Sequence, residues 1–484
     1  MNDDSILIGA GEIPVRLPLR YANRHGLVAG ATGTGKTITV QGLAESFSAA
    51  GVPVFVADVK GDLAGLAMPG VANPRIEERW SRIGVAQPPF AAAPVSLWDV
   101  YGKGGIPLRL SLSELGPQML SRMLELNETQ EAVLSLVFQF ADDEGLLLLD
   151  MNDLRTTLVH LGEHARELDT RYAAFSRPSV AAIQRRLLLL ENAGAATFFG
   201  EPAVQLTDLM RTAANGQGVV NILDARELIN QPRLYTSFLL WLMSELFEQL
   251  PEIGDPERPR IVFFFDEAHL LFDGAPKALM QRIEQVVRLI RSKGVGIYFI
   301  TQSPGDIPDD VLAQLGNRIQ HALRAYTPSE QKAVRVAAQS FRANPLFETE
   351  QVIAQLGVGE ALVSVLEQRG VPSVVQRTLV RPPGSRMGPL EDHERQSLLG
   401  ADALFARYRT SHDPVSAHEI LQQRAQRQLA EASNEKASPA REPARRSTRE
   451  GPVEALLKSV ARSIGSGLGR SIVRGVLGSI LRGR

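Results

Sequence analysis

The 484-residue chain has no cysteine. Disulfides, thiolate zinc sites, iron–sulfur clusters and a cysteine nucleophile are therefore excluded. No apolar run approaches the roughly 18 residues that span a membrane. Near the N-terminus, Asp3 and Asp4 stand where a secretory signal would carry basic residues. These absences predict a soluble, cytoplasmic protein.

Net charge of either sign is also nearly absent, because 52 Lys and Arg oppose 54 Asp and Glu. The charges are unevenly distributed, however. Residues 421–484 contain 13 basic and 5 acidic side chains, so this segment carries +8 and residues 1–420 carry −10. An acidic body is a poor general surface for a polyanion. A nucleic acid would have to bind in a channel or on the basic tail.

Short apolar runs alternate with amphipathic stretches along much of the chain. The runs that predict strands are Gly26–Ala29, Val52–Ala57, Val219–Leu223, Ile261–Phe265, Val295–Thr301 and Ile319–Leu323. The stretches that predict helices are Thr37–Ala50, Arg233–Gln249 and Ala278–Arg291. Strands that are apolar along their whole length, each followed by a helix, indicate a parallel sheet covered on both faces. The pattern predicts an α/β fold.

A glycine-rich segment between the first strand and the first helix matches the pattern G-x-x-x-x-G-K-[ST]. Its residues are Gly30, Ala31, Thr32, Gly33, Thr34, Gly35, Lys36 and Thr37. The glycines allow successive backbone N–H groups to turn toward phosphates, and the following helix points its positive end at them. Lys36 is expected to reach the β- and γ-phosphates, and the Thr37 hydroxyl to ligate Mg²⁺. The segment predicts a site for ATP and Mg²⁺.

An apolar strand that ends in two acids supplies the second half of such a site. Asp266 and Glu267 follow the strand Ile261–Phe265. Asp266 is expected in the Mg²⁺ shell. Glu267 is expected to orient or deprotonate water, which distinguishes hydrolysis of a nucleoside triphosphate from binding alone.

Two further groups of polar residues follow strands. Gln302 comes directly after the strand Val295–Thr301, where a polar side chain can sense the γ-phosphate. Asp58 and Asp62 belong to an Asp-Val-Lys-Gly-Asp turn after the second strand. Their carboxylates either join the nucleotide site or cap the turn.

The order of these motifs resembles the HerA/FtsK superfamily of P-loop ATPases. The Asp58–Asp62 turn, the run DEAHLLF from Asp266 and the segment GEALVSVLEQRG from Gly359 resemble most the bacterial HerA-like proteins of the YjgR type. The resemblance covers roughly residues 5–385. It implies a RecA-like P-loop NTPase core in which one more strand lies between the P-loop strand and the Asp266 strand.

The resemblance also implies a ring, usually a homo-hexamer, that moves DNA as a translocase or helicase. In such rings an arginine from the neighbouring subunit completes each active site and stabilises the transition state. The arginines in position for this role are Arg291, Arg288 and Arg318, and each could equally be a surface arginine. A protein-pumping or remodelling ATPase and a nucleotide-dependent scaffold at the membrane surface are the alternative functions.

We divide the chain into six parts on these grounds. They are 1–66 (first part of the ATPase core), 67–218 (a mostly helical insertion), 219–385 (second part of the core), 386–426 (a helical extension), 427–452 (a flexible linker) and 453–484 (a basic amphipathic tail helix). Residues 359–380 resemble a hairpin within the core. A basic amphipathic helix can pack on the protein or its copies, lie on a membrane, or bind DNA.

Overall fold

The computed structural model describes residues 4–164, 177–192, 194–273 and 277–437. Among these residues, those up to Ala417 form one compact unit, and those from His418 to Ala437 belong to a second. The first unit is built on one sheet, whose strands are β1 (Ser5–Ala10), β2 (Pro14–Pro18), β3 (Gly26–Ala29), β4 (Val54–Asp58), β5 (Val95–Asp99), β6 (Ile106–Pro107), β7 (Val220–Asp224), β8 (Ile261–Phe265), β9 (Val295–Thr301), β10 (Asn317–His321), β11 (Glu360–Ser364) and β12 (Gln376–Val380).

The strand order across the sheet is β2-β1-β12-β11-β10-β3-β9-β8-β4-β7-β5-β6. All pairs from β10 to β6 are parallel. The four pairs from β2 to β10 are antiparallel. In the parallel part, the carboxyl ends of the strands meet at one edge, where open α/β sheets bind their ligands.

Helices connect these strands. They are α1 (Lys36–Ala49), α2 (Pro74–Ile83), α3 (Leu112–Met123), α4 (Glu128–Asp143), α5 (Met151–Glu163), α6 (Arg177–Asn192), α7 (Leu206–Leu209), α8 (Pro232–Gln249), α9 (Lys277–Ile290), α10 (Asp309–Leu312), α11 (Pro328–Gln339), α12 (Thr349–Gln355), α13 (Asp392–Ala401), α14 (Ala403–Tyr408) and α15 (Ala417–Ala437). Among the described helices, none is long and apolar enough to cross a membrane.

Alternate residues of β8 face opposite layers, because successive side chains of a strand point to opposite faces. On one face, the Phe264 ring lies 5.2 Å from that of Tyr298 and 6.3 Å from that of Phe47 on α1. On the other face, the Phe55 ring of β4 lies 5.4 Å from that of Phe263 and 6.4 Å from that of Phe238 on α8. Both faces are therefore covered, and an all-apolar strand is stable only in such a position.

The predicted α/β fold with a RecA-like, mainly parallel core is confirmed. Strands β3, β8 and β9 have the predicted bounds, and β9 is the implied extra strand between β3 and β8. Residues 359–380 do contain an antiparallel pair, β11 and β12.

Three features of the fold differ from the sequence expectations. The segment 67–218 contains helices α2–α7, but it also adds β5 and β6 to the sheet edge, so it is not set apart from the core. Strand β5 is only five residues long and includes Ser96 and Asp99, so neither an apolar run nor a clear period marks it in the sequence. The sequence analysis predicted neither β1 nor β2.

Helix α15 runs to Ala437, into the predicted linker 427–452, because Ala, Gln, Arg and Glu favour helix without any apolar period. The predicted tail helix 453–484 lies outside the described residues.

Candidate active site at the carboxyl edge of the sheet

The P-loop follows β3 at the carboxyl edge, and its glycines adopt conformations that other residues avoid. Gly30, Gly33 and Gly35 have φ values of 154°, 79° and 115°. A Cβ on Gly30 would lie 2.5 Å from the Cβ of His321 at the end of β10. Glycine is required here because the loop bends with positive φ and packs against the neighbouring strand.

His321 packs against the P-loop. Its Nε2 lies 2.8 Å from Thr39 Oγ1 on α1, and its Nδ1 lies 3.0 Å from the Glu360 carbonyl oxygen. Because a carbonyl only accepts, Nδ1 carries the proton and Nε2 accepts from the threonine hydroxyl. Burial lowers the pKa of His321 to about 4. The imidazole is therefore neutral and connects α1 to β11 through two hydrogen bonds.

Lys36 begins α1, and its side chain folds back over the loop. Its Nζ donates to the carbonyl oxygens of Gly30 and, at 3.2 Å, Ala31. Burial and the nearby Lys60 ammonium lower its pKa. Thr37 follows it, and both residues line one cleft with Asp266. The structure therefore brings together the three residues that sequence motifs assign to phosphate and Mg²⁺.

Asp266 and Glu267 follow β8 as expected. Burial raises the pKa of Asp266 to about 6, and Lys60 opposes that rise. Its Oδ1 accepts from the Glu267 N–H at 3.0 Å. Glu267 itself has a φ of 47°, a left-handed conformation uncommon outside glycine.

The Glu267 side chain is mostly buried, and its Oε2 has no hydrogen-bond partner among the described residues. The Nδ1 of His269 lies 3.4 Å from Oε2 without hydrogen-bond geometry. A buried carboxylate oxygen without a donor is costly. Such a group is expected where a water or substrate supplies the missing hydrogen bond.

The acids of the Asp58–Asp62 turn do not act alike. Asp58 accepts hydrogen bonds from the backbone N–H groups of Lys60, Gly61 and Leu63, at 3.2, 2.8 and 2.9 Å. Burial raises its pKa. Its carboxylate thus caps the turn, although Asp58 also lines the cleft. Asp62 is half-buried and does not line that cleft.

Gln302 is exposed directly after β9 and does not line the cleft of Lys36 and Asp266. It lies beside the P-loop, because the Gly30 N–H donates to the carbonyl of Thr301 at 3.3 Å.

The three predicted arginines lie at the opposite, amino edge of the parallel strands, away from the P-loop of their own chain. Arg288, Arg291 and Arg318 line one cavity of about 440 Å³ with Arg24. The guanidinium of Arg318 is held by three backbone carbonyls, including those of Leu315 and Leu312 at 3.0 Å.

The other two predicted arginines are more accessible. Arg291 pairs with Asp255 at 3.1 Å. Arg288 is exposed, and within the described residues its guanidinium has no hydrogen bond or ion pair.

A second cavity, of about 610 Å³, adjoins the P-loop and had no signal in the motifs. Gly35 and Ile38 line one side, and Arg79 of α2 lies on another. Arg79 donates to the carbonyl oxygens of Gly359 at 2.9 Å and Val358 at 3.2 Å. Sequence reasoning missed these residues because they come from segments far apart in the chain.

Similar proteins indicate the family and the fold of this chain. A family model described as "Helicase HerA-like C-terminal" matches residues 5–484. The chain is 28% identical over 123 residues to the DNA double-strand break repair helicase HerA of Pyrococcus furiosus, which is 25% of this chain and 20% of that protein. It is 30% identical over 125 residues to a probable helicase of Methanocaldococcus jannaschii, which is 25% of this chain and 22% of that protein. The match thus spans about a fifth of each relative's length.

Among solved structures, the plasmid coupling protein TrwB with a non-hydrolysable ATP analogue aligns with a TM-score of 0.51 and 16% identity, over 79% of this chain and 92% of that one. TrwB with ADP and Mg²⁺ aligns with a TM-score of 0.50 and 15% identity, over 79% and 92%. At this identity the likeness shows a shared fold.

Proposed function

The chain belongs to the HerA-like helicase C-terminal family, and on that premise we propose that it is an ATP hydrolase that works as a ring-shaped motor on DNA. The observation that carries the proposal is the single cleft lined by Lys36, Thr37 and Asp266. These are the side chains that phosphoryl transfer requires for phosphate and metal binding.

The donor groups in the cleft fit Mg²⁺. The Thr37 hydroxyl and the Asp266 carboxylate are hard oxygen ligands, which Mg²⁺ prefers. When bound, Mg²⁺ would neutralise charge on the β- and γ-phosphates. Lys36 would exchange its bonds to the Gly30 and Ala31 carbonyls for phosphate oxygens, with the P-loop N–H groups alongside it.

Glu267 is the proposed base. Its unpartnered, buried Oε2 supports this role, because it can accept a hydrogen bond from the attacking water. Gln302, exposed beside the P-loop, is proposed to contact the γ-phosphate when the site is filled. Asp62 and Asp58 are proposed to act on the nucleotide site through the turn they form, because the Asp58 carboxylate already accepts hydrogen bonds from three backbone N–H groups.

The cavity beside Gly35 is the proposed subsite for the nucleoside. It adjoins the P-loop, and its walls combine apolar surface from Ile38, Val358 and Pro382 with the guanidinium of Arg79. A flat base and a ribose require this combination of apolar walls and few polar groups.

The neighbouring subunit is proposed to supply an arginine to each site in a hexameric ring. The position of Arg288 and Arg291 at the edge opposite the P-loop supports a role in trans. Arg288 is preferred because it has no partner among the described residues, whereas Arg291 is paired with Asp255. Arg318 is least suited, because leaving its three carbonyls unpaired would cost free energy.

DNA is the proposed polymer because the two matched relatives are named as helicases, one of them in DNA repair. Residues 1–420 carry −10, so the acidic exterior is an unfavourable DNA surface. The ring channel or the basic C-terminal segment is the expected contact. The basic segment 453–484 is also the proposed region for any contact with a membrane surface.

The test is the ATPase rate of the full chain with and without single- and double-stranded DNA, beside a native mass measurement. We expect hydrolysis in a ring and stimulation by DNA that weakens steeply with salt. Hydrolysis that no DNA affects would point to a protein-pumping ATPase instead. Absence of hydrolysis under all conditions would refute the enzymatic proposal.

A further inference from the structure

The turn between β4 and α2 carries a lysine with no assigned role. Lys60 lies in the middle of the Asp58–Asp62 turn and lines the cleft with Lys36, Thr37 and Asp266. It is exposed, and within the described residues its Nζ has no hydrogen bond or ion pair. A lysine without a carboxylate partner in a phosphate cleft is available to bind an anion.

The backbone of the turn is tightly specified. Three N–H groups of the turn point at the Asp58 carboxylate. Gly61 has a φ of 78°, and a Cβ there would lie 2.8 Å from Cδ of Arg226. Arg226 is in turn fixed by its bonds to Asp224, at 2.9 and 2.5 Å. These contacts fix the backbone from which the Lys60 side chain reaches the cleft.

The Lys60 ammonium belongs to the same cleft as Lys36 and Asp266, and its charge acts on both. The charge of Lys60 has the largest electrostatic effect of any neighbouring charge on Lys36, whose pKa it helps to lower. It has the largest such effect on Asp266 as well, whose pKa it keeps from rising further. Two ammonium groups, those of Lys36 and Lys60, line the cleft, whereas the P-loop alone supplies one. An anion between them is therefore stabilised by both.

The arginine next to this turn cannot take the same role. Both ends of the Arg226 guanidinium contact Asp224, and the side chain packs over Gly61. Lys103, at the same edge of the sheet, pairs with Glu227 at 2.6 Å and does not line the cleft. Within the part of the chain that the structure describes, Lys60 is thus a cation of this edge that lines the P-loop cleft without a partner.

We propose that Lys60 is a second catalytic cation, which contacts a non-bridging oxygen of the γ-phosphate and stabilises the charge of the phosphoryl group during transfer. This inference rests on the proposed ATPase activity. In the reaction, the water oxygen bonds to the γ-phosphorus as the bond to the β,γ-bridging oxygen breaks. ADP leaves with that electron pair, and Glu267 takes the proton of the water. Lys60 keeps its own proton throughout. Asp58, Gly61 and Arg226 are positioning residues for it.

The test compares Lys60→Ala and Lys60→Arg with Lys103→Ala, which removes the same charge at the same edge outside the cleft. The full chain is assayed for the rate of ATP hydrolysis, for ADP affinity, and for affinity for ADP with aluminium fluoride, which mimics the phosphoryl group in flight. We expect Lys60→Ala to lower both kcat and the aluminium fluoride affinity, on the order of 100-fold. The ADP affinity should change less than about twofold, because ADP lacks the γ-phosphate. Lys60→Arg should recover part of the loss, and Lys103→Ala should behave as wild type.

Other outcomes overturn the proposal in distinguishable ways. Wild-type kcat in Lys60→Ala would remove Lys60 from catalysis and leave the ATPase proposal intact. An equal loss of affinity for ADP and for its aluminium fluoride complex would make Lys60 a ground-state or structural residue. If the wild-type chain hydrolyses no ATP and does not bind aluminium fluoride with ADP, the proposed function itself fails. Because Lys60 is exposed, the substitutions are expected to fold, and a thermal melt checks this.

Discussion

Asp58 and Asp266 end neighbouring parallel strands, yet their carboxylates have different surroundings. Asp58 accepts three backbone N–H groups of its own turn, whereas Asp266 accepts one and faces the lysines of the cleft. An aspartate can therefore shape a catalytic site by fixing the backbone, without touching the substrate. The turn also brings the side chain of Lys60, our proposed second catalytic cation, into the lining of the cleft.

The buried His25 is expected to make the free energy of unfolding depend on pH. Its Nδ1 accepts from the Ile297 N–H at 3.1 Å, and its Nε2 donates to the Val287 carbonyl at 2.7 Å. Burial lowers the pKa of His25 to about 4, against an unfolded value near 6.5. The neutral form is therefore favoured in the folded state. Its contribution to stability is complete above pH 6.5 and is lost as the pH falls toward 4. We expect about 2 kcal/mol less stability at pH 5 than at pH 7 from this residue.

Urea unfolding at the two pH values measures this effect. His25→Gln should be less stable at pH 7 but should lose less stability on going to pH 5 than the wild type. The matched control is His412→Gln, at an exposed histidine, which should keep the wild-type difference. Equal pH dependence in His25→Gln and wild type would refute the assignment.

The predictable part of the site is the part that local motifs encode. Lys36, Thr37, Asp266 and Glu267 each stand at a fixed offset from a strand or a glycine, so their meeting at one edge follows from the parallel sheet. Arg79 could not be found in this way. Its contacts to Val358 and Gly359 span about 280 positions in the chain, and no local spacing records such a contact.

At the scale of elements, α1 is anchored at a point distant from the P-loop. Glu45 accepts hydrogen bonds from Arg381 at 2.7 Å, and from the N–H groups of Gly384 and Ser385 at 2.8 and 3.0 Å. Arg381 also donates to the Gly42 carbonyl of α1 at 2.6 Å. Helix α1, which begins at Lys36, is therefore held by these hydrogen bonds against the segment that follows β12.

Glu45→Ala should destabilise the chain by about 3 kcal/mol, because it leaves the buried Arg381 guanidinium without its carboxylate. Chemical unfolding measures this loss. Glu78→Ala, at an exposed site on α2, is the control and should change stability by less than about 0.5 kcal/mol. A loss in Glu45→Ala no larger than that of the control would contradict the anchoring role.

The elements that sequence reasoning found and missed differ in one physical respect. Strands β3, β8 and β9 are buried on both faces, so each is a continuous apolar run. Strand β2 has the pattern of an edge strand, with exposed Pro14 and Arg16 alternating with buried Val15 and Leu17. Its five residues and the short β5 contain too little of either period to be recognised among loops. The helical part of 427–437 was missed because a polar helix has no apolar stripe.

At the scale of the whole molecule, a ring predicts that two inactive variants restore each other. Glu267→Gln lacks the base but keeps Arg288, and Arg288→Ala lacks the finger but keeps the base. In mixed rings, a Glu267→Gln subunit supplies its arginine to the intact site of an Arg288→Ala neighbour. We expect mixing to recover ATPase activity that neither variant has alone.

The control for the mixing experiment pairs Glu267→Gln with Lys36→Ala. Both variants are defective in the same cleft, so every site of a mixed ring stays inactive and no activity should return. If Arg288→Ala alone keeps the wild-type rate, Arg288 is not the finger. If its mixture with Glu267→Gln stays inactive although the subunits co-assemble, the arginine does not act between subunits.

We propose that the cleft of Lys36, Thr37 and Asp266, with Glu267 next in the chain to Asp266, hydrolyses ATP for work on DNA. The most direct measurement is the ATPase rate of wild type and Glu267→Gln at saturating ATP, with and without double-stranded DNA, together with the affinity of both for ATP. We expect a DNA-stimulated wild-type rate, a rate in Glu267→Gln that is lower by at least about 100-fold, and ATP affinities that agree within about threefold. A Glu267→Gln variant that hydrolyses ATP at the wild-type rate, or a wild type that DNA does not stimulate, would contradict it.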